Sequence, residues 1–478
     1  MQQSESKASE LPLCVDLDGT LVHTDTLVES ALVLLKRNLL YLFAMVGWLL
    51  SGKANLKAQI ASRVELDVSL LPYNRDLLDW LKTHAAGRKL LLVSATNISV
   101  ANSVARHLGI FEEVMASSAG HNLSASRKAD ALVERFGEGG FDYIGNSSDD
   151  VPVWSRCRRA VLVNAPAGVT RQAHQVAEVQ AQLPRQQALL PALARAMRPH
   201  QWSKNLLLFV HLLMAHAWAD NALILSTVIA FVAFCLCSSS VYLINDLLDL
   251  EADRKHSDKC TRPFAAGTAP LLSGIVLAPL LLLVAFALAA LAGSSFLAVL
   301  GVYFLLTVAY SFYLKRVVLL DVLVLAMLYT LRIIAGSAVA GMLPSFWLLS
   351  FSMFLFASLA MVKRYAELKT MEGDPDAWVS GRGYRASDLS LIANLGVAAG
   401  YIAVLVLALY VDSPDVVKLY QDEEWIWLLC PMLMYWIGRI WLLASRGELH
   451  QDPVVFAARD RVSYVVLGLA AVAMLIAL

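Results

Sequence analysis

Charge is scarce in this 478-residue chain: 16% of its residues are Asp, Glu, Lys or Arg, against 58% that are apolar. Globular domains carry about 25% charged and about 45–50% apolar residues, so the shortage excludes a disordered chain and a wholly soluble protein. Neither sign is in excess, with 39 basic and 39 acidic residues, which excludes the basic surface of a nucleic-acid binder. Cysteine is also sparse. Cys14, Cys157, Cys235, Cys237, Cys260 and Cys430 show no CxxC or CxxC…HxxxH spacing, so neither a zinc cage nor a redox dithiol is expected. Cys235 and Cys237 lie in an apolar run and read as small packing residues. The N-terminal MQQSESKASE lacks the basic-then-apolar pattern of a signal peptide, which places the first domain on the cytoplasmic side.

What charge there is falls unevenly. Residues 1–200 hold 21 Lys/Arg and 19 Asp/Glu, whereas 201–478 hold 18 and 20, mostly between long apolar runs. The pattern predicts a soluble domain joined to a polytopic membrane domain. Apolar runs at 203–218, 221–244, 271–292, 294–312, 319–340, 343–361, 391–411, 425–444 and 462–478 give nine candidate spans. With the N-terminus inside, the cytoplasmic loops carry 14 Lys/Arg and the opposite loops only Lys418, a strong positive-inside signal. The 412–424 loop on the outside holds five acids and that one lysine.

The soluble part alternates short apolar strands with helical stretches. LPLCVDLDG, RKLLLVSATN and GFDYIGNSSDD each read as a strand entering a polar loop, which suggests a parallel α/β sheet with its chemistry at the carboxyl strand ends. The apolar stretch 31–50 is broken only by Lys36, Arg37 and Asn38, and includes Tyr41 and Trp48. It is too short to span a bilayer and long enough to lie on one; a buried cap helix accounts for it equally well. The segment 172–195, rich in Gln and Ala with Pro184 and Pro191, reads as a linker.

Asp16-Leu17-Asp18-Gly19-Thr20-Leu21 sets two carboxylates at i and i+2 directly after a strand. That spacing sends both from one face, so one can attack phosphorus while the other handles the leaving group's proton. Ser94, Lys128 and Gly145-Asn146-Ser147-Ser148-Asp149-Asp150 follow in order. These four motifs resemble the haloacid dehalogenase superfamily, in its branch of magnesium-dependent phosphatases with a helical cap. The resemblance implies Asp16 as nucleophile, Asp18 as general acid and base, and Ser94 and Lys128 as phosphoryl holders. It also implies Asp150, with Asp149 beside it, as Mg²⁺ ligands alongside Asp16. About seventy residues between Leu21 and Ser94 leave room for the cap. Asn146 stands where the family usually has an acid, and the missing charge weakens metal binding.

In NDLLDLEADR, Asp246, Asp249 and Asp253 are spaced i, i+3, i+7 at the end of the second apolar run. On one helix they project from one side, and three stacked acids repel unless a cation such as Mg²⁺ sits among them. Arg254, Lys255, Lys259 and Arg262 follow, able to bind phosphate oxygens. The run NDLLDLEADRKHSDKCTRPFAAG resembles the first aspartate signature of the UbiA-type intramembrane prenyltransferases, and RPHQWSKN, YSFYLKR and KRYAEL extend the likeness. It is closest to the branch that moves 5-phosphoribose from phosphoribosyl diphosphate to a polyprenyl phosphate for cell-envelope glycans. The resemblance assigns Asp246, Asp249 and Asp253 to the metal–diphosphate, with Asn245, Lys259 and Arg262 alongside.

No clear second D-x-x-x-D motif follows; Asp321 stands alone at the start of the fifth run. Arg332, eleven residues on, lies on nearly the same helix face, and an arginine at that depth needs water or an anion. Lys204, with Asn205 beside it in RPHQWSKN, and Lys315, Lys363 and Arg364 fall near the cytoplasmic boundary and can hold a second phosphate. Glu367 fits either a ribose hydroxyl or a salt bridge to Lys363 or Arg364.

The expectation is therefore an α/β Rossmann-like haloacid dehalogenase domain (1–171, cap about 22–90), a linker (172–197), and an all-α membrane domain of nine transmembrane helices (198–478). It is a Mg²⁺-dependent bifunctional enzyme of the inner membrane with both sites cytoplasmic. It transfers 5-phosphoribose to a polyprenyl phosphate and then removes the 5-phosphate. An aromatic prenyltransferase using a prenyl diphosphate and an ion-binding transport protein are the other readings, and a homo-oligomer is left open.

Overall fold

Short apolar strands separated by amphipathic helices pair edge to edge in the first part of the chain. The computed structural model describes residues 11–85, 87–118, 122–184, 188–214, 219–371, 378, 382–413, 422–449, 452–457 and 459–477. Parts of several expected features lie outside these residues: the polar N-terminus, 185–187 of the linker, 215–218 of the first apolar run, most of the 412–424 loop, and Leu478. The chain forms two compact units, Met1–Met197 with Tyr242–Ala278, and Arg198–Val241 with Pro279–Leu478.

In the first unit, strands β1 (Leu13–Val15), β2 (Leu90–Asn97), β3 (Glu113–Ser117), β4 (Asp142–Gly145), β5 (Arg159–Val163) and β6 (Glu178–Leu183) form one sheet in the order β3-β2-β1-β4-β5-β6. Every pairing is parallel. Alternation along the strands sorts two cores. Leu13, Val15, Leu92, Ile144 and Val161 pack on one face with Leu77 and Leu81 of α4 (Arg75–His84) and Val104 of α5 (Ile98–Leu108). Cys14, Leu91, Val93, Tyr143 and Leu162 pack on the other with Leu132 of α6 (Ser126–Phe136) and Ala173 of α7 (Ala167–Val176). Buried on both faces, this is the parallel sheet of an α/β domain.

Between β1 and β2 three more helices form the cap: α1 (Thr26–Arg37), α2 (Tyr41–Leu50) and α3 (Lys53–Ala61). Leu34, Ile60 and Val64 make a small core of their own there. The cap is thus narrower than 22–90, because α4 belongs to the sheet's core.

The linker expected over 172–197 instead carries the end of α7, the edge strand β6 and α8 (Leu189–Ala196). Its sequence EVQAQL alternates polar and apolar residues, with exposed and half-buried positions in turn. That is the signature of a strand covered on one face, obscured by residues with weak strand preference. The segment after the second apolar run packs with the first unit, so residue 198 is not the only boundary between units.

Among the described residues seven helices are long and apolar enough to cross a membrane. They are α9 (Asn221–Leu248), then, beyond the short α10 (Leu250–Lys255), α11 (Leu271–Ala292), α12 (Ser294–Phe312), α13 (Leu320–Val339), α14 (Phe346–Lys369), α15 (Leu389–Val411), which with its leading 3-10 turn spans Ala386–Val411, and α16 (Leu429–Ser445), which with its own spans Glu424–Ser445. The first and last expected spans fall short among the described residues. One is a 3-10 helix, Pro199–Phe209, running into Val210–Met214, and the other is the 17-residue α17 (Arg461–Ala477). In the second unit α13 is the central helix. Val322, Ala326, Tyr329 and Ile333 pack against α14, α15 and α16, while Val324, Leu328, Leu331 and Ala335 pack against α9, α11 and α12. Leu320, Leu323 and Met327 leave one stripe of α13 exposed, while its polar residues Asp321, Thr330 and Arg332 are buried inside protein.

Candidate functional site

Asp16 and Asp18 leave the carboxyl end of β1, the strand at which the sheet's order reverses, where an open parallel sheet leaves a crevice for ligand. Lys128 of α6 is buried beneath them. Its Nζ donates to Asp16 Oδ1 at 2.8 Å, Asp150 Oδ1 at 3.3 Å and the Tyr143 hydroxyl at 2.8 Å. The turn after β4 closes around Asp150, whose Oδ2 accepts from the backbone N–H of Asn146 and Ser147 at 2.9 and 3.1 Å. Asp149 is exposed on that turn, so of the two adjacent acids Asp150 is the one drawn in beside Asp16.

Asp18 accepts from the backbone N–H of Thr26 at 2.8 Å and from Thr96 Oγ1 at 3.1 Å. Ser94 is buried on β2 where the register with β3 shifts, and its Oγ accepts from Thr96 N–H at 3.1 Å. Gly19 allows the turn between the two aspartates and the cap: its φ is +76°, and a Cβ there would lie 2.0 Å from Asn146 Nδ2.

Burial pushes the Asp16 carboxyl up to about 7, Lys128 pulling against it and Asp150 adding to the push. Burial and the neighbouring Asp25 lift Asp18 to about 6. Lys128 rises above the usual lysine range because Asp16 and Asp150 outweigh the burial that opposes its charge. Two buried carboxylates sharing one lysine form an oxygen-rich donor set short of positive charge. Asp16 and Asp150 would hold a hard divalent cation such as Mg²⁺, which would keep Asp16 ionised and polarise a bound phosphoryl group.

The acidic segment after α9 is built differently from the single-helix expectation. α9 stops at Leu248 and α10 starts at Leu250, with Asp249 at the bend (φ −103°, ψ 17°). Asp246 and Asp253 are buried and converge on Arg262, whose Nη1 lies 3.3 Å from Asp246 Oδ1 and 2.9 and 2.7 Å from the two oxygens of Asp253. The bend turns Asp249 toward Lys36 of α1, Nζ to Oδ1 2.8 Å. Two carboxylates aimed at one point fit a cation, so Asp246 and Asp253 would hold a metal-bound diphosphate; Asp249 is engaged elsewhere. Among the described residues no three His, Cys, Asp or Glu side chains already form a cage.

Arg254, expected to bind phosphate, is instead paired with Glu29 of α1, and its Nε donates to the Ala265 carbonyl at 3.0 Å. The N–H of Asp249 donates to the Asn245 carbonyl at 2.9 Å, and Lys259 is exposed on a 3-10 turn.

The second unit holds cations of its own. Lys204 and Lys363 both donate to Asp452 Oδ2, at 2.8 and 3.3 Å, and Tyr329 donates to Asp452 Oδ1 at 3.2 Å. Against burial, which raises it, Lys363 and Lys204 hold the Asp452 carboxyl below its ordinary range. Arg332 is buried in α13, donating to Asn205 Oδ1 at 2.9 Å, Tyr303 Oη at 3.1 Å and the Leu328 carbonyl. Its guanidinium lies 5.0–5.5 Å from the Phe234, Tyr303 and Tyr329 rings, and no carboxylate pairs with it among the described residues. Two cations thus share the Asp452 carboxylate, and Lys204 and Arg332 both lie within 5.5 Å of the Tyr329 ring.

Asp321 does not stand alone. It is fully buried against Arg364 (2.7 Å), Arg382 (3.5 Å) and the Tyr384 hydroxyl. Arg364 also pairs with Glu367, and Arg382 Nε lies 3.4 Å from Glu367 Oε2. Arg364 is therefore occupied by acids rather than free for a phosphate, and Glu367 takes the salt-bridge alternative. Lys315 sits half-buried on the 3-10 turn Leu314–Arg316.

Residues 206–463 match the UbiA prenyltransferase family. The chain belongs to that family. An uncharacterised protein, y4nM, of Sinorhizobium fredii is 37% identical over 98% of this chain and 91% of its own length, so the two-domain arrangement is shared. The decaprenyl-phosphate phosphoribosyltransferase of Mycolicibacterium smegmatis is 32% identical, over 57% of this chain and 88% of that one. A phosphoserine phosphatase solved as a phospho-aspartyl intermediate analogue covers 39% of this chain and 98% of its own, at 14% identity and a TM-score of 0.26. This member of the UbiA family carries a parallel α/β domain with a helical cap ahead of its helical domain.

Sequence reasoning about this UbiA-family chain missed five residues that the sites use: Glu29, Thr96, Tyr143, Arg382 and Asp452. It also passed over Lys57 of the cap, whose Nζ donates to the carbonyl of Ala95, next to Ser94, at 2.6 Å and to Asn122 Oδ1 at 2.9 Å. Its place in SGKANLK, a basic residue in a cap facing a phosphate site, was the available signal.

Proposed function

We propose that the membrane domain transfers 5-phosphoribose from phosphoribosyl diphosphate to a polyprenyl phosphate, and that the N-terminal domain then removes the 5-phosphate. The observation that carries this reading is the surplus of cations in the second unit: Lys204 and Lys363 share the one carboxylate of Asp452, and Arg332, over the same Tyr329 ring as Lys204, pairs with no carboxylate among the described residues. A phenolic acceptor needs no such surplus; a lipid phosphate does. The 32% identity to a decaprenyl-phosphate phosphoribosyltransferase supports the same donor and acceptor.

Asp246 and Asp253 serve the leaving diphosphate, with Mg²⁺ as the counter-ion that oxygen donors of this kind select. The bond from ribose C1 to the diphosphate breaks and a bond from C1 to the lipid phosphate oxygen forms. No side chain acts as nucleophile. Arg262 offsets the charge of the diphosphate, and the second-unit cations that of the lipid phosphate.

In the soluble domain, Asp16 attacks the 5-phosphate and Asp18 gives its proton to the departing ribose oxygen. Asp18 then takes a proton from the water that cleaves the aspartyl-phosphate. Lys128 neutralises the phosphoryl oxygens, Ser94 and the turn at Asn146 orient them, and the cap with Lys57 excludes water. A cytoplasmic face for both sites of a nine-span inner-membrane protein fits the 14-to-one bias of basic residues. The product suits cell-envelope glycan synthesis.

The test is product analysis. Purified protein with Mg²⁺, labelled phosphoribosyl diphosphate and a polyprenyl phosphate should give a lipid-linked pentose. Prenylation of an aromatic acid from a prenyl diphosphate, with no pentose lipid, would replace this function with the quinone-type one.

A further inference from the structure

The cap carries a surface that neither active site uses. Helix α2, YLFAMVGWLL, has no charged residue and no buried one. Leu40, Leu42, Phe43, Val46 and Leu50 are each between 52 and 86% exposed, a contiguous apolar patch on a domain that is otherwise soluble. Tyr41, Met45 and Trp48 turn back to the cap's own core, and Arg63 stacks its guanidinium 4.8 Å from the Trp48 ring.

Two observations say what covers the patch. From Ser30 to Val64 the chain has five basic residues, Lys36, Arg37, Lys53, Lys57 and Arg63, and no acid. An apolar helix flanked by cations on both sides suits an anionic lipid surface. Lys36, four residues past which the helix region begins, lies 2.8 Å from Asp249, the residue directly after the membrane-length helix α9. Both belong to one compact unit, so α2 begins close to the end of that membrane-length helix.

We propose that α2 is a bilayer-inserted anchor of the cap, its apolar face seated in the headgroup and upper acyl region of an anionic leaflet and its flanking lysines and arginines on the phosphates. Such helices bury their apolar face by about 5–10 Å. The anchor holds the phosphatase site beside the membrane, where a lipid-linked phosphate would be met. The insertion itself rests on no reading of the reaction.

The test uses the full chain, reconstituted in vesicles of phosphatidylethanolamine and phosphatidylglycerol, with a benzophenone amino acid at position 43, at position 50, or at position 134, an exposed site on α6. On illumination, positions 43 and 50 should form lipid adducts at several times the yield of position 134, and Lys53→Glu combined with Arg37→Glu should lower that yield. Crosslinks from position 43 to a second copy of the chain, or lipid yields no higher than at position 134, would overturn the proposal. The readout needs no catalysis, so it stands or falls apart from the proposed reaction.

Discussion

Arg254 holds Glu29 with two nitrogens, Nη1 to Oε1 at 2.5 Å and Nη2 to Oε2 at 3.0 Å, and both side chains are nearly out of solvent. One residue belongs to the cap and the other to the aspartate-bearing segment after α9. Thr24 adds a third bond to Glu29 Oε2 at 3.0 Å, and Gly267 lets the chain pass close by, since a Cβ there would lie 2.4 Å from His23 Cβ. Breaking such a pair from one side leaves a buried charge, at a cost of about 3–5 kcal/mol. Glu29→Gln should therefore lower the thermal midpoint markedly, while Glu29→Leu with Arg254→Met recovers much of the loss. Calorimetry on the native chain, Glu29→Gln and the double variant checks it.

The pair between Lys36 and Asp249 is half-exposed, 39% and 30% by side chain, and is worth about 0.2–1 kcal/mol. Removing it leaves more uncompensated negative charge next to the Asp246–Asp253 pair. Lys36→Met should lower the Mg²⁺ concentration for half-maximal transfer by up to about fivefold, the factor that 1 kcal/mol gives. Asp253→Asn should raise it and cut kcat by about a hundredfold or more. Metal titrations of the transfer rate test both.

Lys204 and Lys363 meet on one oxygen of Asp452. Lys204→Met or Lys363→Met should raise KM for the polyprenyl phosphate about tenfold or more, each losing a charge-assisted contact of about 1.5–3 kcal/mol, and leave KM for phosphoribosyl diphosphate near its original value. Steady-state kinetics with each substrate varied in turn separates the two.

Asp16 sits in the folded protein with its carboxyl at about 7, raised first by burial, against an ordinary value of about 3.9. A raised acid favours the folded state most when protonated, so its contribution is fully present below about pH 4 and is lost as pH rises toward 7. In chelator-treated protein, the stability of the native chain relative to Asp16→Asn should therefore fall as pH rises from 4 to 7, which paired thermal melts across that range check. Adding Mg²⁺ should stabilise the native sequence more than the variant.

The parts of this protein readable in its sequence are those written in local spacing. Asp16 and Asp18 follow a strand, Asp150 closes its own turn, and both positions come to the sheet's reversal point because parallel strands with crossover helices fold in few ways. What escaped depends on partners far apart in the chain. Asp249 continues the helical spacing of Asp246 and Asp253, yet Lys36, more than two hundred residues earlier, takes its carboxylate. Arg364 reads as a phosphate ligand until Asp321 is found against it. Asp452 lies in a polar turn with no motif around it. The edge strand β6 hid in a Gln- and Ala-rich stretch because its outer face meets water.

In the proposed sequence one lipid passes through both reactions, and the direct measurement is the lipid product pattern of three purified proteins given labelled phosphoribosyl diphosphate, polyprenyl phosphate and Mg²⁺. The native chain should release a pentose lipid without the 5-phosphate, Asp16→Asn should accumulate the 5-phosphorylated lipid, and Asp246→Asn should form neither. An Asp16→Asn protein that yields the same dephosphorylated lipid as the native chain would contradict the claim.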